Sequence, residues 1–324
     1  MTRPGAALLV LGTRGSRLAL IQSEAVAATL RAAVPRLEVC VRTISTEGDR
    51  VQSIVPDALP SWGLGVFVRD IEAALLSGEI DFAVHSLKDL PAALPEGLVI
   101  AAVPERANPL DVLVTAAGLT LDDLPTGARV ATSSLRRAAF LRAYRPDLRA
   151  VPVRGNVDTR WRKLLDPSQA FDALVLAAAG LDRLGLTEAP RWPIPPGILP
   201  PAPGQGALAL QARVGDAVTR ALLDVLNHPP TAAAVSAERR VLRDLEGGCR
   251  LPVAALGTPV GTLVAGRLHL AAAVATPDGT RVLKHEATGF VEAPETLGAA
   301  VAAHLLSLGA AGLLRESAPA EALS

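Results

Sequence analysis

Apolar positions in the first hundred residues switch between two periods. Residues 6–11 form a short apolar run, 18–33 place apolar side chains at helical spacing and stop before Pro35, and 38–44 alternate, with Leu37, Val39 and Val41 on one face. Phe67, Ile71, Ala74 and Leu75 fall at i, i+4, i+7 and i+8, which predicts an amphipathic helix over 66–76, and a brief buried strand follows at 81–84. The rhythm resumes after Asn108-Pro109. Strands at 111–115, 129–131, 148–153 and 173–176 alternate with helices at 134–144 and 157–165. The proline-rich stretch 190–203 reads as a crossover or hinge, 207–212 as a strand and 216–226 as a helix. After His228-Pro229-Pro230 come a helix at 232–245, a turn at Gly247-Gly248-Cys249, several strands up to 289 and a last helix near 300. Strands alternating with helices predict an α/β chain with parallel or mixed sheets covered by helices.

A length of 324 residues leaves room for two or three such domains. Half the residues are apolar but only 3% are aromatic, so the cores are built from Leu, Val, Ile and Ala. Thirty-two basic residues balance thirty-two acidic ones, which argues against a general nucleic-acid or membrane-surface binder. Few aromatics also means few platforms for stacking bases. Two cysteines, Cys40 and Cys249, make no disulfide framework, and the first apolar run reads as a strand rather than a signal peptide. A cytoplasmic, reducing location is the expectation. Residues 296–314 carry no formal charge, yet Gly309 and Gly312 interrupt them, so they read as a buried or amphipathic helix and a turn, not a membrane span. There is no P-loop, and Gly63-Leu64-Gly65 lacks the third glycine of a dinucleotide fingerprint. His85, His228, His269, His285 and His304 are scattered without ligand spacing, so no metal is expected.

Overall neutrality hides a local basic excess. Residues 129–163 hold ten basic side chains against two acidic ones, Asp147 and Asp158. Within them lie Thr132-Ser133-Ser134-Leu135-Arg136-Arg137 and Arg154-Gly155-Asn156-Val157-Asp158-Thr159-Arg160, both at predicted strand-to-helix junctions. Free N–H groups and the positive helix end point out of such junctions, and guanidinium forks grip carboxylates or phosphates bidentately. Thr13-Arg14-Gly15-Ser16 repeats the design. The plain alternative is a solvated helix face. Three junctions at strand C-terminal ends, where open α/β sheets bind ligands, favour a polyanion site, and several Arg forks suggest several carboxylates. Lys88 and Asp89 follow the strand at 81–84 and share that rim. An acid among cations stays ionised and suits stabilising a cation that develops on a substrate; a loop Asp capping a turn is the alternative. Glycines flank Cys249, and Arg250 beside it favours thiolate. No histidine lies close by, so the choice there is between a structural thiol and a covalent attachment point.

These segments together resemble the porphobilinogen deaminase (hydroxymethylbilane synthase) family. The stretches that carry the resemblance are Val84-His85-Ser86-Leu87-Lys88-Asp89, Ser133-Ser134-Leu135-Arg136-Arg137, Arg154-Gly155-Asn156-Val157, Pro203-Gly204-Gln205-Gly206-Ala207 and Glu246-Gly247-Gly248-Cys249, in the family's order. The resemblance implies an α/β fold of three domains, the first two resembling type II periplasmic binding proteins and the third a small α+β domain. Their expected bounds are 1–106 plus 205–228, 107–204 and 229–324, with the site in the cleft between the first two. It implies a dipyrromethane cofactor bound through a thioether to Cys249, and four porphobilinogen units joined to it head to tail with loss of ammonia before a linear hydroxymethylbilane is hydrolysed off. Asp89 matches the catalytic aspartate. Lys88, Ser134, Arg136 and Arg137 match cofactor-binding positions, and Arg14, Ser16, Arg154 and Arg160 substrate-binding ones. Gln22 and Gln205 match family positions without an assigned chemistry. The only implied partner is porphobilinogen, with no nucleic acid or membrane, and the protein is expected to be a monomer.

Two departures stand out. Pro60-Ser61-Trp62-Gly63-Leu64-Gly65-Val66-Phe67 lacks the lysines the family often carries before the phenylalanine, and Glu47 replaces a common Arg or Lys. Both remove positive charge from the expected lid region. A non-catalytic, two-lobed anion-binding protein would also explain the Arg junctions, but not Cys249 in its loop. A nucleic-acid binder using 129–163 runs against the neutral total.

Overall fold

The structure is a computed structural model, and it describes residues 7–46, 68–169, 171–186, 188–245, 252–261 and 266–316. In chain order the first elements are β1 (Ala7–Arg14), α1 (Arg17–Ala33), β2 (Leu37–Ile44), α2 (Arg69–Leu76), β3 (Phe82–Ser86) and β4 (Leu98–Ala102). Then come β5 (Asp111–Val114), β6 (Arg129–Ala131), α3 (Leu135–Tyr144), β7 (Arg149–Val151), α4 (Val157–Leu164), β8 (Ala173–Ala177), α5 (Ala178–Arg183) and β9 (Arg191–Pro193). The last are β10 (Leu208–Arg213), α6 (Ala217–Asp224), α7 (Pro229–Asp244), β11 (Val253–Val260), β12 (Arg267–Ala275), β13 (Val282–Phe290), α8 (Pro294–Ser307) and α9 (Ala310–Glu316). They fall into two compact units: Met1–Arg106 with Ala207–Ala232, and Ala107–Gly206 with Ala233–Ser324.

The first unit is built on a sheet of order β2-β1-β3-β10-β4. β1 pairs parallel with both β2 and β3, whereas β10 runs antiparallel between β3 and β4. Pleat alternation decides which side chains meet which helix. Leu9, Leu11, Phe82 and Val84 cluster with Val26, Ala27 and Leu30 of α1, while Ala83 clusters with Ile71, Ala74 and Leu75 of α2 and with Ile80. Gly12 sits where a Cβ would meet the side-chain end of Ile80, so a larger residue there would push Ile80 aside.

The second unit holds two sheets. One has the order β7-β6-β8-β5-β9, with β6 parallel to β7 and β8, and β5 antiparallel to β8 and β9. The other is the antiparallel β11-β12-β13. Leu113, Val130, Phe140 and Val175 share a core with Ala254, Ala273 and Ala275 of the antiparallel sheet. α8 packs on β12 and β13 through Leu297, Val301, Ala302 and Leu305.

The mixed α/β class agrees with the sequence pattern; two readings are refined and one strand is added. The 190–203 stretch is not a free hinge. It lies within the second unit, β9 pairs with β5, Ile194 N–H donates to Asp111 O at 2.9 Å, and Ile194 and Leu199 are fully buried. Residues 98–102 are a strand, since Leu98–Ala102 is held by β10, a partner more than a hundred residues away. The turn expected before residue 314 is the break at Gly309 (φ 98°), after which the chain turns helical again as α9.

Candidate active site

The first unit gathers one set of candidates at the C-terminal ends of β1 and β3, neighbouring parallel strands. Arg14 is the last residue of β1 and is half-buried. Ser16 caps α1, its hydroxyl accepting from Ala19 N–H at 3.4 Å. β3 ends at Ser86 and passes into a 3-10 turn, Leu87–Asp89, on which Lys88 and Asp89 are half-buried. Buried Leu87 and Leu90 anchor that turn on either side of the two charged residues. Leu87 N–H donates to Ala207 O at 3.0 Å, and Leu90 N–H to Leu87 O at 3.1 Å. Gln22 of α1 supports it from behind, its amide donating to Ser86 Oγ at 3.2 Å. The chemistry of Gln22 is therefore structural: it holds the strand end that presents Lys88 and Asp89.

The second unit gathers another set. Ser134 caps α3, accepting from Arg137 N–H at 3.4 Å. Ser133 stitches two strand ends together, its hydroxyl donating to Val153 O at 2.6 Å and accepting from Val153 N–H at 3.0 Å. Arg154 and Arg160 flank the β7–α4 junction and are half-buried, and Arg160 Nε donates back to Gly155 O at 2.8 Å.

Arg136 and Arg137 do not fan out into solvent as an open junction would have them. Both are buried against Asp111, which is fully enclosed at the head of β5. Arg136 Nη2 reaches Asp111 Oδ2 at 2.7 Å, and Arg137 approaches Oδ1 through Nη2 at 2.7 Å and Nε at 3.0 Å. Arg136 also donates to Pro200 O, and Arg137 Nη1 to Val175 O at 3.0 Å. Gln205 Nε2 completes the cluster, donating to Asp111 Oδ1 at 3.0 Å and to Pro109 O at 2.8 Å. Burial pushes the Asp111 carboxyl up, but Arg136 and Arg137 outweigh it and bring it from 3.8 down to about 2. Two guanidiniums on one carboxylate leave a net positive charge in a dry place, an arrangement that favours anions nearby.

Sequence reasoning does not single out Asp111 or Arg183. Asp111 opens a strand whose other residues are apolar, and that lone acid is the available signal. Arg183, at the end of α5, donates to Gly206 O at 2.8 Å, and burial lowers its pKa. Gly206 itself has φ 85° and would place a Cβ 2.5 Å from Ala107 O, so the Pro203–Ala207 motif is needed for backbone geometry as well as for Gln205. Cys249, Glu47 and the stretch 57–67 lie outside the described residues.

Two sequence patterns of one family together match most of the chain. The porphobilinogen deaminase dipyromethane cofactor binding domain matches residues 9–221, and the porphobilinogen deaminase C-terminal domain matches 232–307. The chain belongs to the porphobilinogen deaminase family. Porphobilinogen deaminase of Desulforudis audaxviator is 51% identical over 307 residues, covering 94% of this chain and 96% of that protein. That of Rubrobacter xylanophilus is 51% identical and that of Brevibacillus brevis 46%, each over 306 residues with the same coverage. The mixed α/β fold agrees with membership of the porphobilinogen deaminase family. Among the described residues no cluster of three metal-ligating side chains occurs, and no helix is long and apolar enough to cross a membrane.

Proposed function

We propose that the protein is a hydroxymethylbilane synthase. It condenses four porphobilinogen molecules head to tail, with loss of one ammonia each, and releases the linear tetrapyrrole by hydrolysis. The observation that carries this reading is the half-buried Asp89 on its 3-10 turn, on the same sheet edge as Arg14, in a chain of this family. A dipyrromethane cofactor, once bound, supplies the pyrrole carbon to which the first substrate is joined. The donor types fit such a polycarboxylate: Lys88 and Ser134 would hold the cofactor, Arg136 and Arg137 would favour it through the net positive charge of their buried cluster with Asp111, and Cys249 would carry it. Arg14, Ser16, Arg154 and Arg160 would grip the acidic side chains of the substrate, where the flat guanidinium fork outperforms a point charge.

Asp89 has two tasks on this reading. Its carboxylate stabilises the cation left on a substrate pyrrole as ammonia departs, accepting from the ring N–H. It then takes up the proton lost at the new ring junction. Lys88, its neighbour on the turn, keeps positive charge close to the acid and to the incoming carboxylates. The antiparallel sheet β11–β13 supports treating 229–324 as a third domain beside 1–106 plus 205–228 and 107–204. We place the protein in the cytoplasm as a monomer acting on a small molecule; the exposed thiol of Cys40 suits a reducing compartment.

Intact-mass spectrometry tests the proposal. Purified protein should carry the extra mass of two pyrrole units, lost in Cys249→Ser. A bare chain that stays bare after incubation with porphobilinogen, and releases no ammonia, would leave only an anion-binding protein.

A further inference from the structure

Residues 107–206 and 233–324 carry separate sheets, yet they form one compact unit, and a core rather than a surface joins them. Leu113, Val130, Phe140 and Val175 on one side meet Ala254, Ala273 and Ala275 on the other, and Val282 packs against the same cluster. The turn between β12 and β13 lies directly on α3. A Cβ at Gly279, where φ is 75°, would come within 2.6 Å of Ala139 O and Ala143 N, so only glycine allows that approach. Arg142 of α3 grips the same turn, its Nη1 donating to Pro277 O at 2.7 Å. α3 is the helix that opens with Ser134, Arg136 and Arg137.

The proline-rich stretch is laced to the antiparallel sheet as well. Ala255 N–H donates to Pro201 O at 3.1 Å, and Lys284 Nζ to Gly197 O at 3.0 Å. Gly204 N–H donates to Glu238 Oε2 at 2.6 Å, while the other oxygen of Glu238 accepts from Gly257 N–H at 2.7 Å. Glu238 is fully buried, so opening the joint would strip an enclosed carboxylate of a donor. Domains of one chain move freely where their interface is small and polar; this one is apolar and closed by a buried charge. Both ends of the segment that holds Cys249 are rooted in the same body: Leu245 is buried at the end of α7, and Pro252 O accepts from Ala275 N–H at 3.1 Å.

We propose that residues 107–206 and 233–324 stay one rigid body through every addition, so that the two anchors of the Cys249 segment and the Arg136–Arg137–Asp111 cluster keep a fixed separation while the chain grows. The carboxylates of the tethered cofactor then remain in the same positive field from the first addition to the last. Asp89 belongs to the other unit. A shift that lets one acid serve successive additions therefore falls between Asp89 and this body, or within the growing chain, and not at the joint beneath the tether. The inference rests on reading Cys249 as the attachment point.

The test bridges the joint. Gly197 and Lys284 are both exposed, the lysine spans the gap between them, and a Cβ at Gly197 would meet nothing within 4 Å. Gly197→Cys with Lys284→Cys, in a Cys40→Ser background, can be joined by a bis-maleimide about as long as a lysine side chain. The bridged holoenzyme should turn over porphobilinogen within about twofold of the same variant before bridging. Intact-mass spectrometry should find the same succession of protein-bound chains, up to four added units. Hydrogen exchange in rising urea supplies a readout without substrate: the slow amides of α3, β11 and β12 should open in one cooperative step. A bridged protein that halts after the first additions while the unbridged variant completes four overturns the proposal. So does opening of β11–β13 while α3 stays protected. Absence of turnover in the wild type would instead refute the proposed function, and the exchange pattern would still decide whether the two parts are one body.

Discussion

Replacing Asp111 by Asn preserves the shape of the side chain and removes its charge. In the wild type that carboxylate is fully enclosed and meets Arg136 at 2.7 Å and Arg137 at 2.7 and 3.0 Å. The introduced amide offers one acceptor oxygen where two were used, and turns N–H groups toward a guanidinium that is itself only a donor. Removing one partner of a buried ion pair costs about 3–5 kcal/mol, because the remaining charge stays buried without compensation. For a unit of this size, that lowers the melting temperature by roughly 6–20 °C. Urea unfolding followed by tryptophan fluorescence in a Trp62→Phe background measures it, since Trp161 and Trp192 both lie in the second unit. The acid limb gives an independent check. Because the folded-state pKa is depressed from 3.8 to about 2, the stabilisation is complete above the unfolded value and is lost as pH falls from about 4 toward 2. The gap between wild type and Asp111→Asn should therefore narrow over that window. A loss below about 1 kcal/mol, or a gap that stays constant from neutrality to pH near 2, would show that the guanidiniums do not depend on this carboxylate.

Two further predictions concern Asp89 and a buried carboxylate of α7. Asp89→Asn should reduce ammonia release from porphobilinogen by about 100-fold or more, with the pyrrole mass on the protein retained; turnover near the wild-type rate would remove Asp89 from the mechanism. Glu238 is fully buried and accepts from Gly204 N–H at 2.6 Å and Gly257 N–H at 2.7 Å. Glu238→Ala should cost about 3 kcal/mol in denaturant unfolding, because two buried N–H groups lose a charged acceptor.

The local grammar of the chain is legible in the sequence. Ser16 and Ser134 cap helices where hydroxyl residues precede helical patterns, and Arg14, Lys88 and Asp89 do lie at strand ends. The consequence of distant pairing is not legible there. Arg136 and Arg137 look like an open fork in sequence, yet they are drawn inward by an acid 25 and 26 residues earlier. Prolines at 190–203 suggest a joint, but Ile194 and Leu199 between them carry enough apolar surface to bury the stretch. The buried bond from Gln211 to Glu72 is equally hidden in the sequence, because it joins β10 to α2, which no local pattern connects.

The slot that β10 fills has a bearing on biosynthesis. β3 and β4 are made early, but the strand that separates them emerges only after about a hundred further residues. At a translation rate of 5–20 residues per second, a nascent chain leaves two strand edges open for roughly 5–20 s. During that interval the ribosome-bound amino-terminal segment has an incomplete sheet, and the edges of β3 and β4 that β10 will pair carry open N–H and C=O groups, the kind of edge on which a second chain can add wrongly.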